Sequence, residues 1–114
     1  MSVDTASLIN SIQRDSNQST PKVGMGATRL MWTDRHAYTV IEVSKNGKRC
    51  TVQQDSALRV DRRGMTDWQD WSYTPNPEGR IETVSLRKDG KWRKVGDTDL
   101  YAIGWRDEHH DYSF

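Results

Sequence analysis

Cysteine, histidine and long apolar runs are scarce in this sequence of 114 residues. There is one cysteine, Cys50, which excludes an internal disulfide and fits a reducing compartment. The three histidines and the absence of paired cysteines leave little material for a metal-binding motif. No signal-peptide pattern and no apolar run of about eighteen residues occurs, so we expect a protein of the cytoplasm that makes no membrane contact.

The sequence also has no large excess of charge of one sign. Seventeen basic residues balance sixteen acidic ones, and the signs alternate along most of the chain. Long nucleic acids call for a clustered positive field, so this pattern disfavours them but leaves room for a pocket of two or three arginines around a small anion. Apolar residues make up only 33% and five tryptophans carry much of that area, so self-association would help to stabilise the fold.

The chain divides into two parts by pattern. Residues 4–15 place three apolar side chains on one helical face: Leu8, Ile9 and Ile12. A polar stretch then runs into Pro21, a combination typical of a linker. We therefore predict a helical extension and linker over residues 1–22, followed by one ligand-binding domain over residues 23–114.

From Val23 onward, short segments rich in β-branched and aromatic residues alternate with turn signals. Asn46-Gly47 predicts a two-residue hairpin, and Asp89-Gly90 predicts another turn. About eight such segments indicate a mainly β fold with an α+β character. We expect a small antiparallel sheet or barrel preceded by the short N-terminal helix.

No catalytic or metal-binding motif stands out. His109 and His110 lie among acidic residues, but neighbours on a strand point to opposite faces and cannot easily share one ion. A solvated polar edge is the better interpretation, and we predict no metal. Cys50 alternates with polar residues as a buried core residue does. We therefore expect no catalytic residue, no cofactor and no enzymatic activity.

Two arginines stand beside aromatic and acidic residues, Arg35 in Trp32-Thr33-Asp34-Arg35 and Arg106 in Trp105-Arg106-Asp107. An arginine oriented by a carboxylate can still direct its other N–H groups at phosphate oxygens. A neighbouring aromatic ring can stack on a base. The alternative is an ordinary surface ion pair, which contributes almost nothing to stability.

Several motifs in the same order resemble a phage-encoded family, the first-described Thoeris anti-defence proteins. They cover residues 23–114 and comprise WTDRHAYTVIEV at 32–43, VQQDSALRVD at 52–61, Gly-Met at 64–65, PNPEG at 75–79, KDGKW at 88–92 and RDEHHDYSF at 106–114. Proteins of that family bind, without destroying, the cyclic ADP-ribose isomers that bacterial TIR-domain proteins make from NAD. Some form larger symmetric assemblies that also hold cyclic trinucleotides. The helical extension at 1–22 departs from a typical member.

The resemblance implies the site residues. Arg35 and Arg106 would clamp the ligand's phosphates. The candidates for base stacking, chosen by chemistry alone, are Trp71, Tyr73 and Trp92. Arg59 is a further candidate, for a second nucleotide site.

The resemblance also implies the partners: a small cyclic nucleotide signal and further copies of the chain, as a homodimer or a larger assembly up to a hexamer. The location would be the cytoplasm of a bacterial host. Docking of Tyr112 and Phe114 into the core or a partner subunit would order the C-terminal segment. Two alternatives stay open, a β domain for single-stranded nucleic acid and a phage inhibitor acting through protein contact.

Overall fold

A computed structural model of the protein describes residues 20–64 and 69–110. The helix predicted at 4–15 and the docking predicted for Tyr112 and Phe114 lie outside these ranges. Within them, no helix is long and apolar enough to cross a membrane. The regular elements of this described part are eight strands: β1 Gly26–Leu30, β2 Arg35–Val43, β3 Arg49–Gln54, β4 Ser56–Arg59, β5 Trp71–Thr74, β6 Ile81–Leu86, β7 Trp92–Lys94 and β8 Leu100–Ile103.

Six of the strands form a closed antiparallel barrel in the order β1-β2-β3-β6-β7-β8. The ring closes where β8 pairs with β1, from Ala27 opposite Ile103 to Leu30 opposite Leu100. Closure leaves none of the six strands with an unpaired edge. The prediction of a mainly β, antiparallel fold is confirmed, and the barrel is the form it takes.

Strand alternation fills the barrel with apolar and aromatic side chains. Cross-strand partners such as Ala27 and Tyr38, or Val40 and Val52, share a face because they lie directly opposite each other. The buried cluster comprises Ala27, Tyr38, Val40, Cys50, Val52, Val84, Trp92, Tyr101 and Ile103. Cys50 is a core residue, as predicted, and burial raises the pKa of its thiol to about 12.

Trp92 corrects one prediction. Its side chain is only 1% exposed and belongs to the barrel core. A base cannot stack on a ring that the barrel already encloses. Trp92 is therefore removed from the candidate ligand-binding residues, and its role is to fill the interior between β6 and β8.

The hairpin predicted at Asn46-Gly47 is present between β2 and β3. Gly47 adopts a φ of 71°, a backbone conformation that residues with a Cβ rarely adopt. The loop is longer than the predicted two residues. The last backbone hydrogen bond before the turn runs from the Ser44 amide to the Arg49 carbonyl at 2.9 Å, and four residues lie between them. A bulge between Val40 and Glu42 shifts the register of the same strand pair.

The β4 and β5 strands form a separate two-stranded sheet, inserted in the chain between β3 and β6. Asp55 separates β3 from β4 and is buried. Gly79 lies against the end of β3 so closely that a Cβ there would overlap the carbonyl oxygen of Gln54. The chain thus leaves the barrel for the β4–β5 sheet and returns to it next to the same end of β3.

Candidate functional site

Residues 105–110 fold back across the outer face of β1 and β2, and we call this contact the tail seam. Thr28 is fully buried beneath it and donates to the Trp105 carbonyl at 2.6 Å, while the Asp107 amide donates to the Thr28 hydroxyl at 3.1 Å. Arg35 and His109 exchange two backbone hydrogen bonds of 2.9 Å. The segment is therefore ordered by backbone pairing and by Thr28.

Arg106 is the most constrained side chain of the tail seam. Its Nε lies 2.8 Å from Oδ2 of Asp55, and its Nη2 donates to the Thr39 hydroxyl at 2.8 Å. The Thr39 hydroxyl in turn donates to Oδ1 of Asp55 at 2.5 Å. The Asp55 side chain is only 2% exposed. The contact with Asp55 is thus an ion pair between buried atoms, and the hydrogen bond to Thr39 orients the Arg106 guanidinium.

Gly26 lets Arg106 lie flat on β1. A Cβ added at Gly26 would stand 2.8 Å from the Arg106 Cβ, closer than real Cβ atoms approach another carbon. Gly26 is paired with Thr39 in the register of β1 and β2. Gly26 and Thr39 therefore lie side by side on β1 and β2, and both contact the Arg106 side chain.

Arg35 occupies the other part of the tail seam. Its Nε lies 2.9 Å from Oδ2 of Asp107, and its guanidinium carbon is 5.7 Å from the centre of the Trp105 ring. That distance allows a cation–π interaction. Burial raises the pKa of Asp107, and the charge of Arg35 opposes this rise.

The structure brings the two predicted arginines to one face but not to one point. Arg35 and Thr39, the contact of Arg106, are four residues apart on β2. At about 3.3 Å per residue their Cα atoms are roughly 13 Å apart. Each guanidinium faces a carboxylate of its own, Asp107 for one and Asp55 for the other.

Glu108 joins two histidines in the tail seam. Its Oε2 lies 2.9 Å from Nδ1 of His36 and 2.5 Å from Nε2 of His110, and its Oε1 accepts the Ala37 amide at 2.9 Å. The Glu108 side chain is 6% exposed. Burial raises its pKa, but the hydrogen bonds from His36, Ala37 and His110 outweigh burial and leave the pKa below its usual value.

The second sheet holds the tail seam from the other side. Tyr73 accepts the Glu108 amide at 3.1 Å, and Gln69 bonds the His110 amide and carbonyl at 3.0 and 2.6 Å. The Trp71 ring lies 4.7 Å from the His110 ring. Trp71 and Tyr73, predicted to stack on a base, thus contact the protein's own tail segment.

Arg59 is part of the β4–β5 sheet. Its Nε and Nη2 each donate to Asp61 at 2.9 Å, a two-pronged pair. Asp61 also accepts the amides of Arg63 and Asp70 at 2.8 and 2.7 Å. The prediction of a second nucleotide site at Arg59 stays a prediction, and a carboxylate already balances its charge.

Comparisons of the chain with protein-family models, with characterised proteins and with solved structures gave no match. Its function is therefore inferred from the geometry of the tail seam together with the sequence resemblance.

Sequence reasoning missed the partners that orient the predicted residues. Asp55 lies within the family-like VQQD stretch, and that motif was the available signal for it. Thr39 likewise lies within the WTDRHAYTVIEV stretch, whereas Gly26 precedes the first of these motifs and carries no such signal. His36 and Glu108 are 72 residues apart, so no ligand-spacing rule could connect them.

Proposed function

We propose that the protein binds a small cyclic nucleotide signal and sequesters it without cleaving it. The ligand class is the glycocyclic ADP-ribose isomers that TIR-domain proteins make from NAD, with cyclic trinucleotides as a second class to test. In this proposal the protein is a phage product that acts in the cytoplasm of a bacterial host and keeps the signal from its effector. The ordered motifs over residues 23–114 support it, as does the chemistry of the tail seam.

The observation that carries the proposal is the way Arg106 is held. Asp55 and Thr39 engage its Nε and Nη2, and among residues 20–64 and 69–110 nothing engages its Nη1. The side chain as a whole is 32% exposed, so solvent reaches part of it. A pre-oriented guanidinium loses little freedom when it binds a phosphate, which is the arrangement that a tight anion site needs.

Arg35 and Trp105 form the second part of the proposed ligand site. Arg35 is 25% exposed and its Nε faces Asp107, and within residues 20–64 and 69–110 no hydrogen bond of its terminal nitrogens is seen. The Trp105 ring lies beside this guanidinium. An indole next to an oriented cation suits a ligand that carries both a base and phosphates.

Enclosure of the ligand favours an assembly of chains. Each arginine already faces a carboxylate, Asp107 for Arg35 and Asp55 for Arg106, so one chain offers a diphosphate only part of each guanidinium. A cyclic ADP-ribose isomer of roughly thirty-five heavy atoms could reach about −10 kcal/mol, or tens of nanomolar, only if it were largely enclosed. We therefore infer that a second copy of the chain completes the enclosure and brings its own arginine to the phosphates.

The test uses paired changes, because removing Arg106 alone leaves the buried Asp55 without its partner. Asp55→Asn/Arg106→Gln removes both charges and leaves two amides that can hydrogen-bond to each other, so no charge stays buried without a partner. We expect this variant to fold and to lose binding of a cyclic ADP-ribose isomer by at least a hundredfold in calorimetry. Arg35→Lys should also weaken binding, since an ammonium cannot reproduce a two-pronged contact.

Arg49→Ala is the matched control, because Arg49 is an exposed arginine at the start of β3. It should bind like the wild type. Equal affinity of the wild type and the Asp55→Asn/Arg106→Gln variant would rule out the Arg106 site. Mass spectrometry of the heat-released ligand should return it intact, and a linear product would refute sequestration without cleavage.

Inhibition by protein contact is the second candidate function, because large apolar side chains are exposed. Trp32 in the β1–β2 turn is 68% exposed and Leu58 on β4 is 70% exposed. A host protein captured at one-to-one stoichiometry and lost on Trp32→Ala, with no nucleotide bound, would favour it. The nucleic-acid alternative has less support, since Trp71 and Tyr73 contact the tail segment.

A further inference from the structure

We propose that His36, Glu108 and His110 form a binding site for one divalent transition-metal ion, with Zn²⁺ as the preferred ion. Each residue offers one ligand atom, and the three atoms lie within 4.8 Å of one another. This site lies in the tail seam and needs neither arginine of the nucleotide proposal. The metal-site proposal can therefore be tested independently of that function.

The donor set selects the class of ion. Two imidazole nitrogens and one carboxylate oxygen are the protein ligands of many four-coordinate sites for Zn²⁺, where water takes the fourth position. Mg²⁺ and Ca²⁺ prefer all-oxygen sites with more ligands. The single cysteine is buried in the barrel, so no thiolate joins the set.

The distances between the three donor atoms are close to those around a metal ion, which would replace the protons of the hydrogen bonds between them. Oε2 of Glu108 lies 2.9 Å from Nδ1 of His36 and 2.5 Å from Nε2 of His110. Donor atoms around a tetrahedral Zn²⁺ with bonds of about 2.0 Å stand roughly 3.3 Å apart. Small side-chain rotations therefore suffice. Binding would need a lone pair on each of these nitrogens and would release protons.

Neighbouring groups already orient the three ligands. The Ala37 amide holds Oε1 of Glu108, so that Oε2 faces the imidazoles. Gln69 fixes the backbone of His110 on both sides, and the Trp71 ring lies against its imidazole. Outer contacts of this kind set ligand orientation in metal sites and strengthen binding.

One side of the cluster is open. The His36 and His110 side chains are 24% and 35% exposed, whereas Glu108 is 6% exposed. An ion can enter from solvent and keep a water ligand there. Because His36 belongs to β2 and the other two ligands to the tail segment, the ion would crosslink the tail seam to the barrel.

The experiment uses the full chain without an affinity tag, after chelator treatment and dialysis. Co²⁺ is added while visible absorption is followed, and Zn²⁺ binding is measured by calorimetry. We expect one ion per chain and the strong Co²⁺ bands of a site with four or five ligands. His36→Ala and His110→Ala should each weaken binding more than tenfold.

His109→Ala is the matched control. His109 neighbours two of the ligands, yet its backbone pairs with Arg35 and its side chain is not one of the three. It should bind like the wild type. Circular dichroism checks the fold of each variant, and His110→Asn replaces His110→Ala if the latter does not fold.

Two outcomes would overturn the proposal. One is a wild-type titration without saturation at one equivalent up to millimolar Co²⁺ or Zn²⁺, which would mean that the cluster is only a hydrogen-bonded clamp. The other is an equal loss of binding on His109→Ala and His110→Ala. Either result is read on folded protein and needs no nucleotide.

Discussion

In the barrel, neighbouring strands bury apolar side chains around Tyr38 and Trp92, whereas in the tail seam almost every contact involves a charge or a hydrogen bond. The barrel therefore draws its stability from removing apolar area from water. The tail seam depends on buried and half-buried ion pairs, whose loss leaves a charge without a partner. The barrel and the tail seam are thus stabilised by different forces.

The largest effect should come from the barrel. Trp92→Ala removes a side chain that is 1% exposed, and we expect a loss of about 3–5 kcal/mol in the free energy of unfolding. Trp92→Phe should cost less, because it keeps most of the packing and removes an indole N–H that has no partner among the described residues. Trp32→Ala, at an exposed tryptophan, should change stability by less than about 0.5 kcal/mol. Urea denaturation measures all three, and equal losses would contradict the assignment of Trp92 to the core.

Arg106→Ala should rank second, with a loss of about 2–4 kcal/mol, because the carboxylate of Asp55 stays buried. Asp55→Asn/Arg106→Gln should recover most of the loss. If the double change is as unstable as the single one, the pair is not what holds the tail seam.

Gly26→Ala should rank third, at about 1–2 kcal/mol, because its new Cβ would meet Arg106 at 2.8 Å. The strand conformation itself tolerates alanine, since Gly26 is not among the glycines with positive φ. The same change made on top of Arg106→Gly, which removes the Cβ that the new alanine would meet, should cost much less. A double-mutant cycle by thermal unfolding measures this coupling, and additive losses would contradict it.

The smallest effect concerns Asp61 and depends on pH. The hydrogen bond from Arg59, aided by the amides of Asp70 and Arg63, holds the pKa of Asp61 below its usual value. The stabilisation is therefore complete above the unfolded pKa of about 3.9 and is lost as the pH falls toward the folded pKa. Hydrogen exchange in β4 and β5 should be faster in Asp61→Asn than in the wild type at pH 7, and the difference should shrink below about pH 4. A constant difference would contradict this sign.

The barrel was largely predictable from sequence, because short alternating segments and turn residues mark each strand separately. Cys50 was assigned to the core in this way, and Asn46-Gly47 marked its hairpin. Trp92 was selected for base stacking by its chemistry alone. Chemistry does not say which face of a strand a ring occupies, and the Trp92 side chain faces inward.

The site was predictable only in part. Arg35 and Arg106 were selected by their motifs, and the structure gives each a carboxylate partner. The histidine cluster was missed because only the adjacent His109 and His110 were compared. His36 reaches His110 through the pairing of β8 with β1, which delivers the tail segment to β2. Such a contact depends on how the ring closes, and local spacing does not encode it.

Ring closure between β1 and β8 also has a consequence during synthesis. The two strands lie far apart in the chain, and the Thr28 contact with Trp105 spans 77 residues. Until β8 has left the ribosome, the nascent β1 has one edge without its partner, and an open edge invites pairing with other chains. Productive folding should then be slow and should depend on chaperones or a low chain concentration more than an all-helical protein of equal size would.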